Sequence, residues 1–312
     1  MKYEFTQSIT LQHEELAKVD MHSVLNIMNV LVGLFFRAGM SIGNDKYFKA
    51  MADEVRMIIS IIQTRPLIKT YLENLSQFKD SINEILSSAK QEYPNKFDTE
   101  LGLEINAVIA ILETRTNEWL DRADSPQKWC NYKVSDLKHN FDEIFEAVEN
   151  YSKGRFHIVS HAADQGDNDY LIEMDFNPTN RVEVAIPMVL QDVMRDTILN
   201  SRKYTPLGGH IVGTLSMNHD SISWKVEDNG IGIPLDDIPR IVELGFRAKN
   251  VQDRLTMGGG FGLTKAYMVT KQFGGRMWVD SEVGRGTILE IQIPVSNDSQ
   301  LNYYEIAEHT IM

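Results

Sequence analysis

The sequence predicts a chain of two folded parts, an all-α antiparallel helical bundle followed by a part that mixes helices and strands. Two observations predict this division. Apolar residues recur at every third and fourth position through the first 122 residues, which is helical periodicity, and only four of the chain's 20 glycines precede Trp129. Ser125-Pro126 marks the boundary, so we assign residues 1–126 to a helical domain, 127–297 to a second domain and 298–312 to a tail. A length of 312 residues agrees with two domains.

The helical domain is expected to hold four helices, at about 8–38, 45–64, 67–92 and 98–122. The third-and-fourth spacing is clear in Val55, Ile58, Ile59 and Ile62. The segments 38–44 and 93–98 are interpreted as turns. Short connections between long amphipathic helices predict an antiparallel bundle.

The second part begins with an amphipathic helix over 134–154, and the apolar run that starts at Phe156 is expected to open a sheet. Further on, two glycine-rich segments stand out: DNGIGIP at Asp228–Pro234 and GGGFGL at Gly258–Leu263. Such turns adopt positive φ and bring bare N–H groups against phosphate oxygens. An Asp held by such a turn can accept a hydrogen bond from a base amino group. Their order along the chain predicts a nucleotide site.

Three residues upstream complete that outline: Asn200, Lys203 and Tyr204. Asn on a helix can offer a neutral oxygen to Mg²⁺, which prefers hard ligands and retains most of its waters. A glycine cluster alone is usually only a turn, so the prediction depends on the whole set and its spacing.

With these motifs, residues 130–297 resemble the ATP-binding domain shared by bacterial sensor histidine kinases, type II topoisomerases, Hsp90 chaperones and mismatch-repair ATPases. The resemblance lies in four segments: LQDVMRDTILNSRKYT at 190–205 (N box), VEDNGIGIP at 226–234 (G1 box), GFR at 245–247 (F box) and GGGFGLTKAYMVTKQFGG at 258–275 (G2 box). GRGT at 284–287 resembles the start of the closing strand. The resemblance implies an α+β two-layer sandwich that binds ATP and Mg²⁺.

Carried over residue by residue, the resemblance implies specific roles. Asn200 would hold Mg²⁺, Lys203 would reach a phosphate, and Tyr204 would lie against the adenine. Asp228 would read the adenine amino group, with Thr287 supporting it from the last strand. The pocket wall and lid would be shaped by Gly230, Gly232, Gly258, Gly260 and Gly262, followed by Leu263. Arg247, in the lid between the F and G2 boxes, could clamp the γ-phosphate, as could Lys249 and Arg254.

The helical domain resembles the phosphoacceptor box of sensor kinases over residues 16–33. His22 falls on the phosphorylated histidine and Asn26 on the polar residue one turn later, on the same helix face. A neutral imidazole exposed on a helix is a competent nucleophile near neutral pH. The family usually has an acid directly after the histidine; here it is Ser23, so Asp20 or a water would have to accept the proton. His13, followed by Glu14, is a rival acceptor with fewer matching neighbours.

Two features leave other functions open. His22 and Asn200 are farther apart in sequence than a two-helix hairpin needs, and Asp196 replaces the Asn that many histidine kinases have four residues before Asn200. Both features are typical of the mitochondrial protein kinases that phosphorylate serine on ketoacid dehydrogenase complexes. Asp196 could be a general base, a second Mg²⁺ contact, or only a neighbour of metal-bound water. A third hypothesis is an ATP-gated dimeric switch that transfers no phosphate.

Composition indicates which partners and which cellular compartment to expect. A net charge of −13 argues against nucleic acid as a partner, and the single cysteine, Cys130, suits a reducing compartment. The N-terminus lacks an apolar signal region, and the apolar run Val24–Phe36 is short and interrupted by polar residues, so we expect no membrane span. We therefore predict a cytoplasmic histidine autokinase that is a homodimer through its helical domain. It would take its signal from an unknown sensor partner and pass its phosphoryl group to an Asp of a response regulator.

Overall fold

The protein, represented here by a computed structural model, divides into two compact units. One unit contains residues 10–126, and the other contains residues 1–9 together with 127–312. The structure describes residues 2–44, 46–61, 70, 75–123, 125–178, 182–252 and 260–295. The predicted tail, Gly258 and Arg254 lie outside these residues.

The helical unit contains five helices among its described residues: α1 (His13–Asp20), α2 (His22–Ile42), α3 (Lys46–Ile61), α4 (Leu75–Glu92) and α5 (Thr99–Ala123). α2 packs against α3 and α5, and α4 packs against α3 and α5 in turn, so four long helices enclose one core. Its largest fully buried side chains include Met28, Phe35 and Phe48. This arrangement agrees with the predicted helical bundle.

The first predicted helix is where sequence and structure differ most. Residues 8–12 are not helical, and the helix begins at His13 because the Gln12 N–H donates to Glu15 Oε2 at 2.8 Å, half of a capping box. It is then interrupted at Met21, whose ψ of 7° departs from helical geometry. The far end runs on to Ile42, since Gly43 with φ of 70° supplies the left-handed cap. The predicted turn at 38–44 is therefore too long.

The other helices agree with their predicted limits to within a few residues where the structure describes them. Residues 62–64, and 67–74 apart from Thr70, lie outside the described residues, so the start of the third predicted helix is seen only from Leu75.

α2 is the one helix among the described residues whose length and composition would allow it to cross a membrane, with a mean hydropathy of 1.5 over its most apolar window. It is longer than the apolar run considered above, because it continues to Ile42. Core helices of soluble proteins pass the same test, and Val24, Leu31 and Phe35 of α2 are buried within the helical unit. The absence of a membrane span stays a prediction.

The C-terminal unit is built on a mixed sheet of seven strands in the order β1-β8-β9-β7-β6-β4-β3. The strands are β1 (Tyr3–Glu4), β3 (Ile158–Val159), β4 (Tyr170–Pro178), β6 (His210–Met217), β7 (Ser221–Asp228), β8 (Arg276–Glu282) and β9 (Gly286–Pro294). A separate antiparallel pair joins β2 (Trp129–Lys133) and β5 (Glu183–Pro187). The described part of this unit contains three α-helices: α6 (Val134–Ser152), α7 (Leu190–Tyr204) and α8 (Gly262–Gln272).

One face of the large sheet is buried. Side chains of β6 and β7 alternate between buried and less buried positions, as expected when one side of a sheet faces a core. Trp224 of β7 is fully buried, its ring stacks on Phe141 of α6, and its indole N–H donates to Thr197 of α7 at 2.9 Å. Helices therefore cover one face, which agrees with the two-layer arrangement that the resemblance implied.

Residues 1–9 correct the predicted domain limits. We placed them in the helical domain, but β1 pairs antiparallel with β8, at the edge of the large sheet, and Phe5 is fully buried in the core of the C-terminal unit. The alternation that would have predicted a strand covers only the few residues around Tyr3 and Phe5, too short a pattern to outweigh the helical periodicity that follows.

Candidate functional site

A cavity of about 770 Å³, part of it open to solvent, lies between α7, the segment 231–251 and strands β8 and β9. Its apolar wall is formed by Ile231, Ile233, Ile241, Phe246, Val251, Leu263, Val279 and Leu289. Its polar groups come from Thr197, Asn200, Ser201, Tyr204, Asp228, Arg247, Asn250 and Thr287. A largely apolar cavity with a few convergent polar groups is the usual form of a small-molecule site.

Asp228, at the end of β7, is the only carboxylate that lines this cavity among the described residues. Its Oδ1 accepts hydrogen bonds from the backbone N–H of Gly230 at 2.9 Å and of Thr287 at 3.2 Å. Burial raises the pKa of Asp228, while hydrogen bonds from Ser201, Gly230 and Thr287 act in the opposite direction. Because two backbone groups fix Oδ1, the orientation of the carboxylate is set before any ligand binds.

The turn after Asp228 has its shape because of glycine. Gly232 has a φ of 68°, and a Cβ placed on it would overlap the backbone carbonyl of Glu282, so no other residue fits without strain. The Asn250 side chain donates to the Gly232 carbonyl oxygen at 2.8 Å and ties the turn to the segment opposite. The Glu282 backbone and the Asn250 side chain thus both constrain the conformation of the DNGIGIP turn.

Helix α7 carries Asn200, Ser201 and Tyr204 along its cavity side. Asp196 lies one turn before Asn200 and does not line the cavity. Gly262, at the start of α8, sits so close that an added Cβ would lie 2.7 Å from Asn200 Nδ2. The amide of Asn200 is therefore held at the point where α7 and α8 meet.

A buried ionic group fixes these two helices to each other. Lys265 Nζ of α8 donates to Asp192 Oδ2 of α7 at 2.7 Å, and Arg195 pairs with the other carboxylate oxygen; all three side chains are buried. Removing one partner from such a buried group leaves an uncompensated charge, which is strongly destabilising. The separation between Asn200 and the start of α8 is therefore a rigid feature of the unit.

Two cations, Arg247 and Lys203, are associated with the cavity. Arg247 lines it, and its Nη2 donates to the Val251 carbonyl at 2.9 Å. The pKa of Lys203 is lowered, first by burial and then by the charges of Arg247 and Arg202. Lys203 does not line the cavity itself, and its Nζ lies 5.2 Å from the centre of the Tyr204 ring. Two cations whose charges influence each other in this way are a favourable setting for an anion such as a phosphate group.

The remaining predicted residues are placed as follows. Thr287 does contact Asp228, but through its backbone N–H, whereas its hydroxyl lies 2.9 Å from Ser281 Oγ. Leu263 lines the cavity, whereas Gly230 and Gly260 do not; they lie close to the Asp228 side chain and the Gly245 backbone respectively. No group of three or more His, Cys, Asp or Glu side chains in the described part of the chain could hold a metal by itself.

His22 and Asn26 lie in the helical unit, and the structure brings their side chains together. Asn26 Nδ2 is 3.0 Å from His22 Nε2, as their spacing of four residues predicts. The expectation that His22 is exposed is wrong, since its side chain is buried with 8% exposed. The cause is local: the chain turns at Met21, itself 1% exposed, and Asp20 accepts a hydrogen bond from the buried Trp119 at 3.1 Å, so the start of α2 faces the core.

Sequence reasoning missed three polar residues of the cavity, Thr197, Ser201 and Asn250. Ser201 follows Asn200 directly and bonds to Asp228, so its position next to a predicted ligand was the available signal. Asn250 has no such signal, because its partner is a backbone oxygen that only the folded turn brings near.

Comparison with known families agrees with the nucleotide-binding domain that the sequence predicts. Residues 185–297 match the family model described as the histidine kinase-, DNA gyrase B- and HSP90-like ATPase. The C-terminal unit is therefore a mixed α/β ATP-binding domain that resembles the catalytic domains of histidine kinases.

Relatives with curated names point in the same direction. The chain is 29% identical over 141 residues to the sensor histidine kinase WalK of Bacillus subtilis, covering 45% of this chain and 21% of that protein. It is 33% identical over 106 residues to the sensor histidine kinase RppB of Synechocystis, covering 34% of this chain and 23% of that protein. These matches confirm the resemblance to bacterial sensor histidine kinases, although the chain covers less than a quarter of either relative.

Among solved structures, full-length ShkA in complex with AMPPNP superposes with a TM-score of 0.43 at 18% identity, covering 72% of this chain and 45% of that one.

Proposed function

We propose that this protein is an ATP-dependent histidine autokinase of a two-component system, which phosphorylates His22 and passes the phosphoryl group to an Asp of a response regulator. The observation that carries the proposal is the cavity organised around Asp228, in a chain whose named relatives are sensor histidine kinases. The same relatives do not favour the serine kinase or the ATP-gated switch.

The residues of the cavity fit ATP. The Asp228 carboxylate, fixed by two backbone N–H groups, has an oxygen left to accept a hydrogen bond from the adenine amino group. The apolar wall suits the two faces of a purine, with Tyr204 beside it, and Lys203 and Arg247 suit the phosphates. Asn200 would hold Mg²⁺ together with those phosphates, and Mg²⁺ would neutralise charge that develops on them.

His22 is the proposed phosphate acceptor. A ring nitrogen attacks the γ-phosphorus, the bond from that phosphorus to the β,γ-bridging oxygen breaks, ADP leaves, and the imidazole gives up its N–H proton. The Asn26 amide faces Nε2 at 3.0 Å, so it orients the ring. Because His22 is 8% exposed, the attack requires it to move towards solvent first, and the interruption of the helix at Met21 is the natural hinge.

The proton acceptor is the least conventional part of this proposal. Ser23 cannot act as a base at neutral pH, and the nearest acid in sequence, Asp20, already accepts a hydrogen bond from Trp119. Asp196, one turn from Asn200 on α7, is the remaining candidate base, or it orders metal-bound water. Transfer is therefore expected to be slow unless the start of α2 rearranges.

The assembly we propose is a cytoplasmic homodimer formed through the helical unit. Met40 of α2 is 74% exposed and Leu103 of α5 is 66% exposed, and both lie on helices that pack together. Exposed apolar side chains on neighbouring helices support a partner surface there. The signal would reach the kinase through a separate sensor protein.

The decisive experiment is incubation with [γ-³²P]ATP of the wild-type chain and of His22→Gln. We expect label on the wild type that is stable in base and lost in acid, as phosphohistidine is, and no label on His22→Gln. His13→Gln is the matched control and should label normally. Loss of label in His13→Gln but not in His22→Gln would move the acceptor to His13. Acid-stable label on serine of a partner, or hydrolysis without label, would refute the autokinase.

A further inference from the structure

Residues 2–9, which we call the N-terminal arm, are part of the C-terminal unit and lie at the edge of its large sheet. Tyr3 and Glu4 pair with Val279 and Trp278 of β8, and the Phe5 N–H donates to Met277 O at 3.0 Å. Phe5 is fully buried, with its ring 5.9 Å from that of Tyr267 of α8. Ile9 packs against the same core.

Gln7 joins two further elements. Its side chain donates to the Pro239 carbonyl oxygen at 2.7 Å, in the 3-10 helix Leu235–Arg240, and its own carbonyl accepts from the Tyr267 hydroxyl at 2.6 Å. These two hydrogen bonds use both the backbone and the side chain of one residue, so the position of Gln7 is coupled to that 3-10 helix and to α8 at once.

Two of the three elements that the arm contacts contribute residues to the nucleotide cavity, and the third leads directly into a residue that lines it. Val279 of β8, which pairs with Tyr3, lines it. Ile241, directly after the 3-10 helix that Gln7 contacts, lines it as well, and so does Leu263 of α8, one turn before Tyr267. The arm therefore contacts elements that form the wall of the cavity or lead directly into it, without lining the cavity itself.

We propose that the N-terminal arm strengthens nucleotide binding because it fixes the positions of these elements. Gln7 and Phe5 are its positioning residues. The proposal rests on the nucleotide site of the proposed function, not on phosphorylation of His22. The exposed ion pairs of the arm, Glu4 with Arg276 and Lys2 with Glu290, contribute little by comparison, because solvent screens them.

The test measures ADP affinity by calorimetry on the full chain, alongside the melting temperature. Gln7→Glu keeps the length of the side chain but sets an acceptor against the Pro239 carbonyl. We expect it to weaken ADP binding by about three- to tenfold, the value of a lost hydrogen bond, while the unit stays folded. Lys2→Ala, in the same arm but at an exposed ion pair, is the matched control and should stay within about twofold of the wild type.

Phe5→Ala should release the arm and weaken ADP binding more than Gln7→Glu. A disulfide separates the effect of the position of the arm from the effect of a less stable unit. Glu4→Cys and Trp278→Cys, which are partners across β1 and β8, are combined with Phe5→Ala in a Cys130→Ser background. Oxidation of the new pair should restore ADP affinity, and reduction should remove it again. Unchanged ADP affinity in both Gln7→Glu and Phe5→Ala, even with a lower melting temperature, would overturn the proposal. A wild-type chain that does not bind ADP would refute the nucleotide site itself.

Discussion

Asp228→Asn is expected to weaken ADP binding by about 30- to 900-fold while leaving the ligand-free fold intact. The structure explains why the amide cannot turn to avoid the loss. Two backbone N–H groups, from Gly230 and Thr287, hold an oxygen at the Oδ1 position, so the new NH₂ group must take the other position and face the adenine amino group. Two opposed donors in a buried pocket cost about 2–4 kcal/mol, which corresponds to that change in Kd.

The sign of the stability change separates this explanation from simple unfolding. Burial raises the pKa of Asp228, so its contribution to the stability of the ligand-free fold is fully present below the ordinary value of 3.8 and is lost as pH rises through the folded-state pKa. At neutral pH the charge is a cost that Asn lacks. The melting temperature of Asp228→Asn without nucleotide should therefore hold or rise.

Calorimetric titration with ADP and with inosine diphosphate is the assay. Inosine has an oxygen where adenine has its amino group, so the amide of Asp228→Asn can donate to it, and the preference for ADP over inosine diphosphate should shrink or reverse. In the wild type, ADP affinity should fall as pH is lowered, with a midpoint above 3.8, because protonation removes the acceptor. An unchanged ADP affinity in Asp228→Asn at neutral pH would refute the assignment of this carboxylate.

Three further changes test other parts of the mechanism. Asn200→Ala should make nucleotide binding insensitive to Mg²⁺ with an unchanged melting temperature, since Ala is the better helix former; Mg²⁺ dependence equal to the wild type would contradict the metal role. Ser23→Glu should accelerate autophosphorylation at saturating ATP by about 10²–10⁴-fold if a missing base limits transfer. A Glu also suits the first turn of α2, which has no acid. No acceleration would mean that another group already accepts the proton or that the movement of His22 limits the rate. Gly232→Ala should lower thermal stability and ADP affinity more than Gly284→Ala, because both have positive φ but only the first meets a backbone carbonyl; equal effects would show that backbone strain alone matters.

The cavity was largely predictable because its residues sit in short segments with strong local constraints. Gly232 must be glycine for its own backbone, and Asn200 and Tyr204 share one side of one helix, so a linear pattern carries their geometry. The contact of Thr287 with Asp228 was predicted as well, although sequence could not tell that its backbone N–H makes it.

The features that escaped prediction depend on contacts between distant segments. The arm pairs with β8, where Tyr3 lies opposite Val279 and Glu4 opposite Trp278, and no local sequence pattern indicates a contact between segments so far apart in the chain. The burial of His22 likewise follows from the reorientation at Met21 and the contact of Asp20 with Trp119, which lie in different helices. Periodicity predicted the three later helices to within a few residues where they are described, but it placed the first helix too early and did not reveal the interruption between α1 and α2.

The pairing of β1 with β8 also constrains how the protein is made. Since ribosomes add roughly 5–20 residues per second, the arm is completed some tens of seconds before its partner strand leaves the ribosome. During that interval the apolar side chain of Phe5 and the free edge of β1 are unprotected, and such edges are prone to pair with other chains. The C-terminal unit cannot close until β8 and β9 have been synthesised, and the helical unit, inserted between its two parts, has time to fold first.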